Sequence, residues 1–211
     1  MSETPQKGGY ISQAWLVILL ALLYGGALAG VQTTLGPIIA ENKRNETYQV
    51  IPKLVPGADR EKTVELTLIG ADGKDHLVYK AMSSDGVHQG WVVPAGAMGF
   101  ADRIELLIGL DAPCSLITGI KVLDQKETPG LGNFIAEEPF ESQFAGKTTS
   151  EPISVVKTDP AAGSNQIRAL TGATISSESV ADIVNNAVAN LREAIVKAGS
   201  APAQVLEDDA P

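Results

Sequence analysis

The chain has 211 residues, 44% of them hydrophobic, with a formal net charge of −9 and one cysteine. Its acidity, with no basic stripe along the chain, excludes a nucleic-acid-binding surface and disfavours polybasic attachment to lipid. The hydrophobic fraction is too low for a multispanning membrane protein, and a lone Cys114 excludes both a disulfide framework and a C-x-x-C redox or zinc site.

No charged side chain occurs between residues 8 and 40, and within that run AWLVILLALLYGGALAGV (14–31) is almost wholly apolar. At about 1.5 Å per residue this stretch reaches roughly 27 Å, close to the thickness of a hydrocarbon core. Trp15 and Tyr24 suit interfacial depth. The competing reading is a cleaved secretory signal, with Lys7 as its basic end, 15–24 as its apolar region and Ala27-Leu28-Ala29 as a small-x-small site. Either reading exports the downstream domain. Lys7 on one side faces Lys43 and Arg44 on the other, so charge asymmetry leaves the orientation open. The expected division is an N-terminal cytoplasmic tail (1–13), a transmembrane helix (14–36), a connector around VIPKLVP (37–62), a folded domain (63–198) and a disordered tail (199–211).

From residue 63 the period turns strand-like. TVELTLIG (63–70), the turn ADGKD and HLVYKAM (76–82) give a hairpin signal, and SSDG then turns the chain into VHQGWVVP. RIELLIGLD (103–111) and SLITGIKVLDQ (115–125) form the clearest strand pair. Ile104, Leu106 and Ile108 share a face, while Ile117 and Val122 fall on opposite parity across Gly119, which calls for a bulge there. His76 and His88 fall on different strands, thin material for a metal site. A short helix is expected over 137–144, a strand over 153–159 and a loop at AAGSNQ. Val180, Ile183, Val184, Ala187, Val188, Leu191 and Ile195 then recur at three- and four-residue spacing, predicting an amphipathic helix over about 177–197. The fold class is α+β: a single N-terminal transmembrane helix, then an exported domain of antiparallel sheet packed by a long C-terminal helix.

Two stretches carry the chemistry. LTGATISSES (170–179) sets hydroxyls and small residues at the mouth of the last helix. A helix start leaves about four backbone N–H groups without partners and carries a partial positive charge, so it receives anions, phosphate above all. Gly172 and Ala173 allow close backbone approach, and Thr171, Thr174, Ser176 and Ser177 supply hydroxyls. Taken alone, the spacing favours an ordinary cap, in which Ser176 or Ser177 accepts the first helical N–H groups, over a ligand site. The other stretch, ITGIKVLDQKETPGLGNFI (117–135), is a strand running into a tight Pro-Gly turn.

Thr171-Gly172-Ala173-Thr174, followed by Ile175-Ser176-Ser177, resembles the S/T-G-A-T motif of the FMN-binding-domain family. That domain occurs in the G subunit of the Rnf electron-transport complex and in the C subunit of the sodium-pumping NADH:quinone oxidoreductase. Glu127, Thr128, Pro129, Gly130, Leu131 and Gly132 match, position by position, the family's turn that lies against the flavin. The resemblance covers residues 90–197 well, the anchor loosely and 41–89 in outline. It implies FMN as cofactor, linked through its phosphate to Thr174 by a flavin transferase, with Thr171, Gly172, Ala173, Ser176, Ser177 and the 127–132 turn completing the binding set. It implies no catalytic acid–base pair and no metal ligand. The implied role is that of an electron-transfer subunit of an ion-translocating complex, not an independent enzyme. Its partners would be the other membrane, iron–sulfur and flavin subunits, and its domain would lie on the outer (periplasmic) side of the cytoplasmic (inner) membrane. The compact length favours the G-subunit pattern over the C-subunit pattern. A non-redox envelope structural or sensory protein shares the anchor and β-rich domain but has no use for Thr174 or the E-T-P-G-L-G turn. One position departs from the family, which carries an acidic residue six positions before the acceptor threonine where this chain has Arg168. Arginine there either makes modification less efficient or pairs with the flavin phosphate.

Overall fold

A computed structural model describes residues 10–200 of the chain. Of the expected N-terminal tail (1–13) residues 10–13 are helix, and of the expected disordered tail (199–211) residues 199–200 are helix; the rest of both lies outside the described residues. Two compact units divide between Glu46 and Thr47.

The first unit is built from helix α1 (Tyr10–Leu54), whose last turns belong to the second unit. Its apolar side chains from Trp15 to Ile39 are exposed, and Ala14–Leu54 is long and apolar enough to cross a membrane, with a mean hydropathy of 2.2 in its most apolar window. The connector expected over 37–62 is corrected: helix continues through Pro37 and Pro52 to Leu54, and strand begins at Asp59. Two forces override the prolines. Around Pro37, the Thr33 and Thr34 hydroxyls donate to the Ala29 and Gly30 carbonyls, extra bonds that reinforce the helical turn ahead of the proline. Around Pro52, Val50, Ile51, Leu54 and Val55 are buried against Tyr79, Ala81, Val92 and Leu107 on one face of the sheet, and this packing holds VIPKLVP as helix.

The second unit contains a five-stranded antiparallel meander in the order β1-β2-β3-β4-β5: Asp59–Ile69, Asp75–Met82, His88–Met98, Arg103–Asp111 and Ile117–Asp124. The expected irregularity at Gly119 is present. Gly109 pairs with Gly119 and Leu110 with Ile117, so Thr118 is the extra residue that lets Ile117 and Val122 enter the same core. Strand β2 pairs with β3 only as far as Val92, so Pro94 stands where β3 has β4 alone as neighbour and its missing N–H breaks no ladder. The far end of β3 is thus paired with β4 alone, β4 being paired in turn with β5 as far as Glu105, and the β3–β4 connection carries residues 99–102.

The other face of the sheet, with Trp91, Val93, Leu106, Ile108 and Ile120, lies under α3 (Thr174–Ser200) and its Val180, Val184, Leu191 and Ile195. Trp91, fully buried, donates its indole N–H to the Ala112 carbonyl at 3.2 Å. Between sheet and α3 run a 3-10 turn (Gly132–Ala136), helix α2 (Glu138–Glu141) and a second 3-10 turn (Ser142–Phe144), one turn longer at the start than the helix expected over 137–144. Buried Glu141 locks this segment to β5, accepting from Lys121 Nζ at 3.0 Å and from the Val122 N–H at 2.8 Å. The strand expected over 153–159 is shorter, β6 (Ser154–Val156). It pairs in parallel with β7 (Gln166–Arg168), which begins where a loop was expected.

Candidate functional site

Residues 127–132 fold as the Pro-Gly pattern requires. Pro129 and Gly130 are the central pair of a turn closed by Leu131 N–H donating to the Thr128 carbonyl at 3.2 Å, with Gly130 at φ +77°. Residues 170–173 make the second turn, closed by Ala173 N–H donating to the Leu170 carbonyl at 3.0 Å, with Gly172 at φ +81°. The sheet and α3 bring the two turns together. A Cβ on Gly172 would come within 2.9 Å of Leu131 Cδ2, and one on Gly132 within 2.8 Å of Ser176 Oγ, so glycine at both positions permits the approach.

The junction is a cavity of about 520 Å³ lined by Phe100, Thr128, Leu131, Gly132, Gly172, Ala173, Thr174, Ile175 and Ser176. Phe100, Leu131 and Ile175 are exposed apolar side chains on its wall. At its other end the first turn of α3 presents amides. The Ser177 N–H is the first helical donor, reaching the Ala173 carbonyl at 3.1 Å, so the N–H groups of Thr174, Ile175 and Ser176 have no helical acceptor and are available to an anion.

The hydroxyls divide sharply. Ser177 is fully buried, accepting from the Leu170 N–H at 3.0 Å and donating to the Ala173 carbonyl at 2.9 Å, so it supports the turn from behind and does not line the cavity. Ser176 donates to Glu127 Oε2 at 2.8 Å. Neither serine is the helix cap, because α3 begins at Thr174, ahead of both. The Thr174 hydroxyl lines the cavity and has no hydrogen-bond partner among the described residues. Of the remaining expected residues, Thr171, Pro129 and Gly130 are exposed outside the cavity wall, and Glu127 lies buried behind it.

Arg168 bonds Asp159 Oδ1 at 2.7 Å on the exposed side of β7 and does not line the cavity. Phe100 and Ile175 are wall residues that motif reading did not single out. Ile175 sits inside the quoted motif, whereas Phe100 arrives from the β3–β4 connection and has no local signal. Two further cavities flank α3, one beside β3 and β4 and one beside 148–153, and neither contains a residue of the two turns.

The FMN-binding domain model matches residues 99–189, a range that starts at the Phe100 turn and includes both motifs. The G subunit of an ion-translocating oxidoreductase complex from Methanosarcina acetivorans is 32% identical over 81% of this chain and 84% of its own length. The G subunit of a Na(+)-translocating ferredoxin:NAD(+) oxidoreductase complex from Acetobacterium woodii is 35% identical over 74% of this chain and 78% of its own length. The chain belongs to this G-subunit family. Among solved structures, the C subunit of the Na(+)-translocating NADH-quinone reductase from Parabacteroides distasonis superposes with a TM-score of 0.61 at 21% identity, covering 80% of this chain and 98% of that one. That likeness shows the fold alone.

The site of this G subunit fits a flavin mononucleotide on the donor set present. Apolar Phe100, Leu131 and Ile175 match a flat ring, the amides of 174–176 match a phosphate, and Thr174 lines the same cavity.

Proposed function

We propose that this chain is the membrane-anchored flavoprotein subunit of an ion-translocating electron-transport complex, with FMN joined by a phosphoester to Thr174. The observation that carries the reading is the meeting of the two separate motifs, 127–132 and 171–176, in one cavity, where the Thr174 hydroxyl has no partner among the described residues. When bound, the flavin supplies the reversible redox chemistry. The chain's own part is to hold it. The first-turn amides of α3 face the phosphate, Leu131, Phe100 and Ile175 wall the ring, and Gly132 and Gly172 keep the two turns close enough to form one wall.

Attachment balances as a transfer from a flavin dinucleotide. The P–O–P bond breaks, the Thr174 Oγ–P bond forms, a nucleoside monophosphate leaves, and the hydroxyl proton passes to a base of the flavin transferase. A covalent link suits an exported domain of net charge −9, which repels a dianionic phosphate at long range and has no cytoplasmic flavin pool to draw on. The helix α1 anchors the chain in the cytoplasmic membrane, a reading supported by its long exposed apolar run, and the proposal sets the domain on the outer face, as the family resemblance implies. Its electron donors and acceptors are other subunits of the complex.

The experiment is co-expression with a flavin transferase, denaturation and inspection of the gel for flavin fluorescence. Wild type is expected to fluoresce and Thr174→Val to be dark. A dark wild-type band overturns the covalent link, and fluorescence surviving in Thr174→Val moves the attachment elsewhere.

A further inference from the structure

We propose that Glu127 is a positioning residue: its buried, ionised carboxylate staples the Phe100 turn to the first turn of α3 and sets a fixed negative charge behind the cavity wall, holding the reduction potential of the bound flavin down. The inference rests on the flavin reading above and concerns a side chain that does not itself line the cavity.

Glu127 is 4% exposed. Its Oε1 accepts from the backbone N–H groups of Phe100 at 2.9 Å and Ala101 at 3.2 Å, and its Oε2 accepts from the Ser176 hydroxyl at 2.8 Å. The two backbone amides can only donate, and with the Ser176 hydroxyl donating as well the three bonds stabilise the carboxylate form. The partners are uncharged dipoles. They stabilise the charge without cancelling it, so its field persists in the poorly solvated space behind the wall.

The surroundings are cut to this side chain from two sides. A Cβ on Gly99 would overlap Glu127 Oε1, and one on Gly132 would come within 2.9 Å of Glu127 Cβ and 2.8 Å of Ser176 Oγ. The three segments that Glu127 joins are the three that build the cavity: Phe100 from the β3–β4 connection, Thr128 to Gly132 from its own turn, and Thr174 to Ser176 from α3. Residues 99–102 are otherwise held by the Gly99 N–H to Asp102 carbonyl bond at 2.8 Å and by an exposed ion pair between Asp102 and Lys126 at 3.6 Å, so the Glu127 carboxylate is the buried tie, and the one that holds the Phe100 and Ala101 amides. A fixed negative charge at the meeting point of these segments opposes the addition of electrons to a ring held against their wall.

Two variants separate geometry from charge. Glu127→Gln keeps the staple, because the amide oxygen accepts from Phe100 and Ala101 while the amide nitrogen donates to a reoriented Ser176 hydroxyl; only the charge is lost. Glu127→Ala loses both. In flavin-free protein, hydrogen exchange at the Phe100 and Ala101 amides is expected to rise about tenfold or more in Glu127→Ala, the effect of losing one or two hydrogen bonds, and to stay near wild type in Glu127→Gln. Gly99→Ala, whose methyl displaces Oε1, gives the same acceleration should Glu127→Ala not fold. Unchanged exchange overturns the staple. In flavin-loaded protein, Glu127→Gln is expected to favour the reduced flavin about tenfold, ~30 mV for a two-electron couple, while the exposed control Glu137→Gln leaves the potential in place. An unmoved potential in Glu127→Gln overturns the charge role. Should flavin never attach to Thr174, the flavin reading fails on its own test, and the exchange experiment still decides the staple.

Discussion

At Gly172 the backbone sits at φ +81°, and a side chain there would also meet Leu131 Cδ2 at 2.9 Å. Conformation and close approach both hold this position to glycine. Gly172→Ala is expected to lower the unfolding free energy by about 1–2 kcal/mol, the cost of forcing an L-residue into the left-handed region, and denaturant midpoints measure it. Because Leu131 is cavity wall, flavin loading should fall in parallel. Thr174 is the contrasting case, since its hydroxyl bonds nothing among the described residues. The isosteric Thr174→Val should therefore abolish flavin while moving stability by no more than about 0.5 kcal/mol, and a large drop in melting temperature would instead mark Thr174 as a support of the fold. The threonine and the glycine are legible in sequence because their constraints are local. The split between Ser176 and Ser177 is not, because it depends on Glu127, 49 residues away, which claims one hydroxyl for itself.

Helix α3 announces itself through apolar residues at three- and four-residue spacing, and these are the side chains buried on the sheet. Leu191, 2% exposed, belongs to that face, so Leu191→Ala should cost about 2–5 kcal/mol in chemical denaturation through lost burial and the cavity left behind. A cost under about 1 kcal/mol would mean that α3 adds little to the core. The meander is equally legible, down to the bulge required by the parity of Ile117 and Val122. What sequence hides is structure decided by distant partners. Residues 47–54 look like a proline-broken connector, yet burial of Ile51 and Leu54 on the sheet outweighs the local signal. Strand β7 has three residues, too few for a period, and exists because β6 lies beside it. Phe100 reaches the site in the same way, carried there by the β3–β4 connection, whose destination no local pattern reveals.

For the molecule as a whole, the side of the membrane on which the domain stands is the property that sequence leaves open, since basic residues flank the apolar run on both sides. A thiol-directed test is available because the native thiol is silent. Cys114 is fully buried, and burial pushes its thiol up to about 11. At pH 8 only about one molecule in a thousand carries the thiolate that reacts, and the side chain is out of reagent's reach until the domain unfolds. The β2–β3 turn offers a site for a reporter, since Asp85 is exposed there and a small polar replacement disturbs little. In Asp85→Cys, a membrane-impermeant maleimide should label right-side-out membrane vesicles and leave inverted vesicles unlabelled until detergent is added. The unsubstituted chain should stay dark in both preparations and label only in denaturant. Labelling confined to inverted vesicles would place the domain, and with it the flavin cavity, on the cytoplasmic face, where the exported-domain argument for a covalent tether no longer applies.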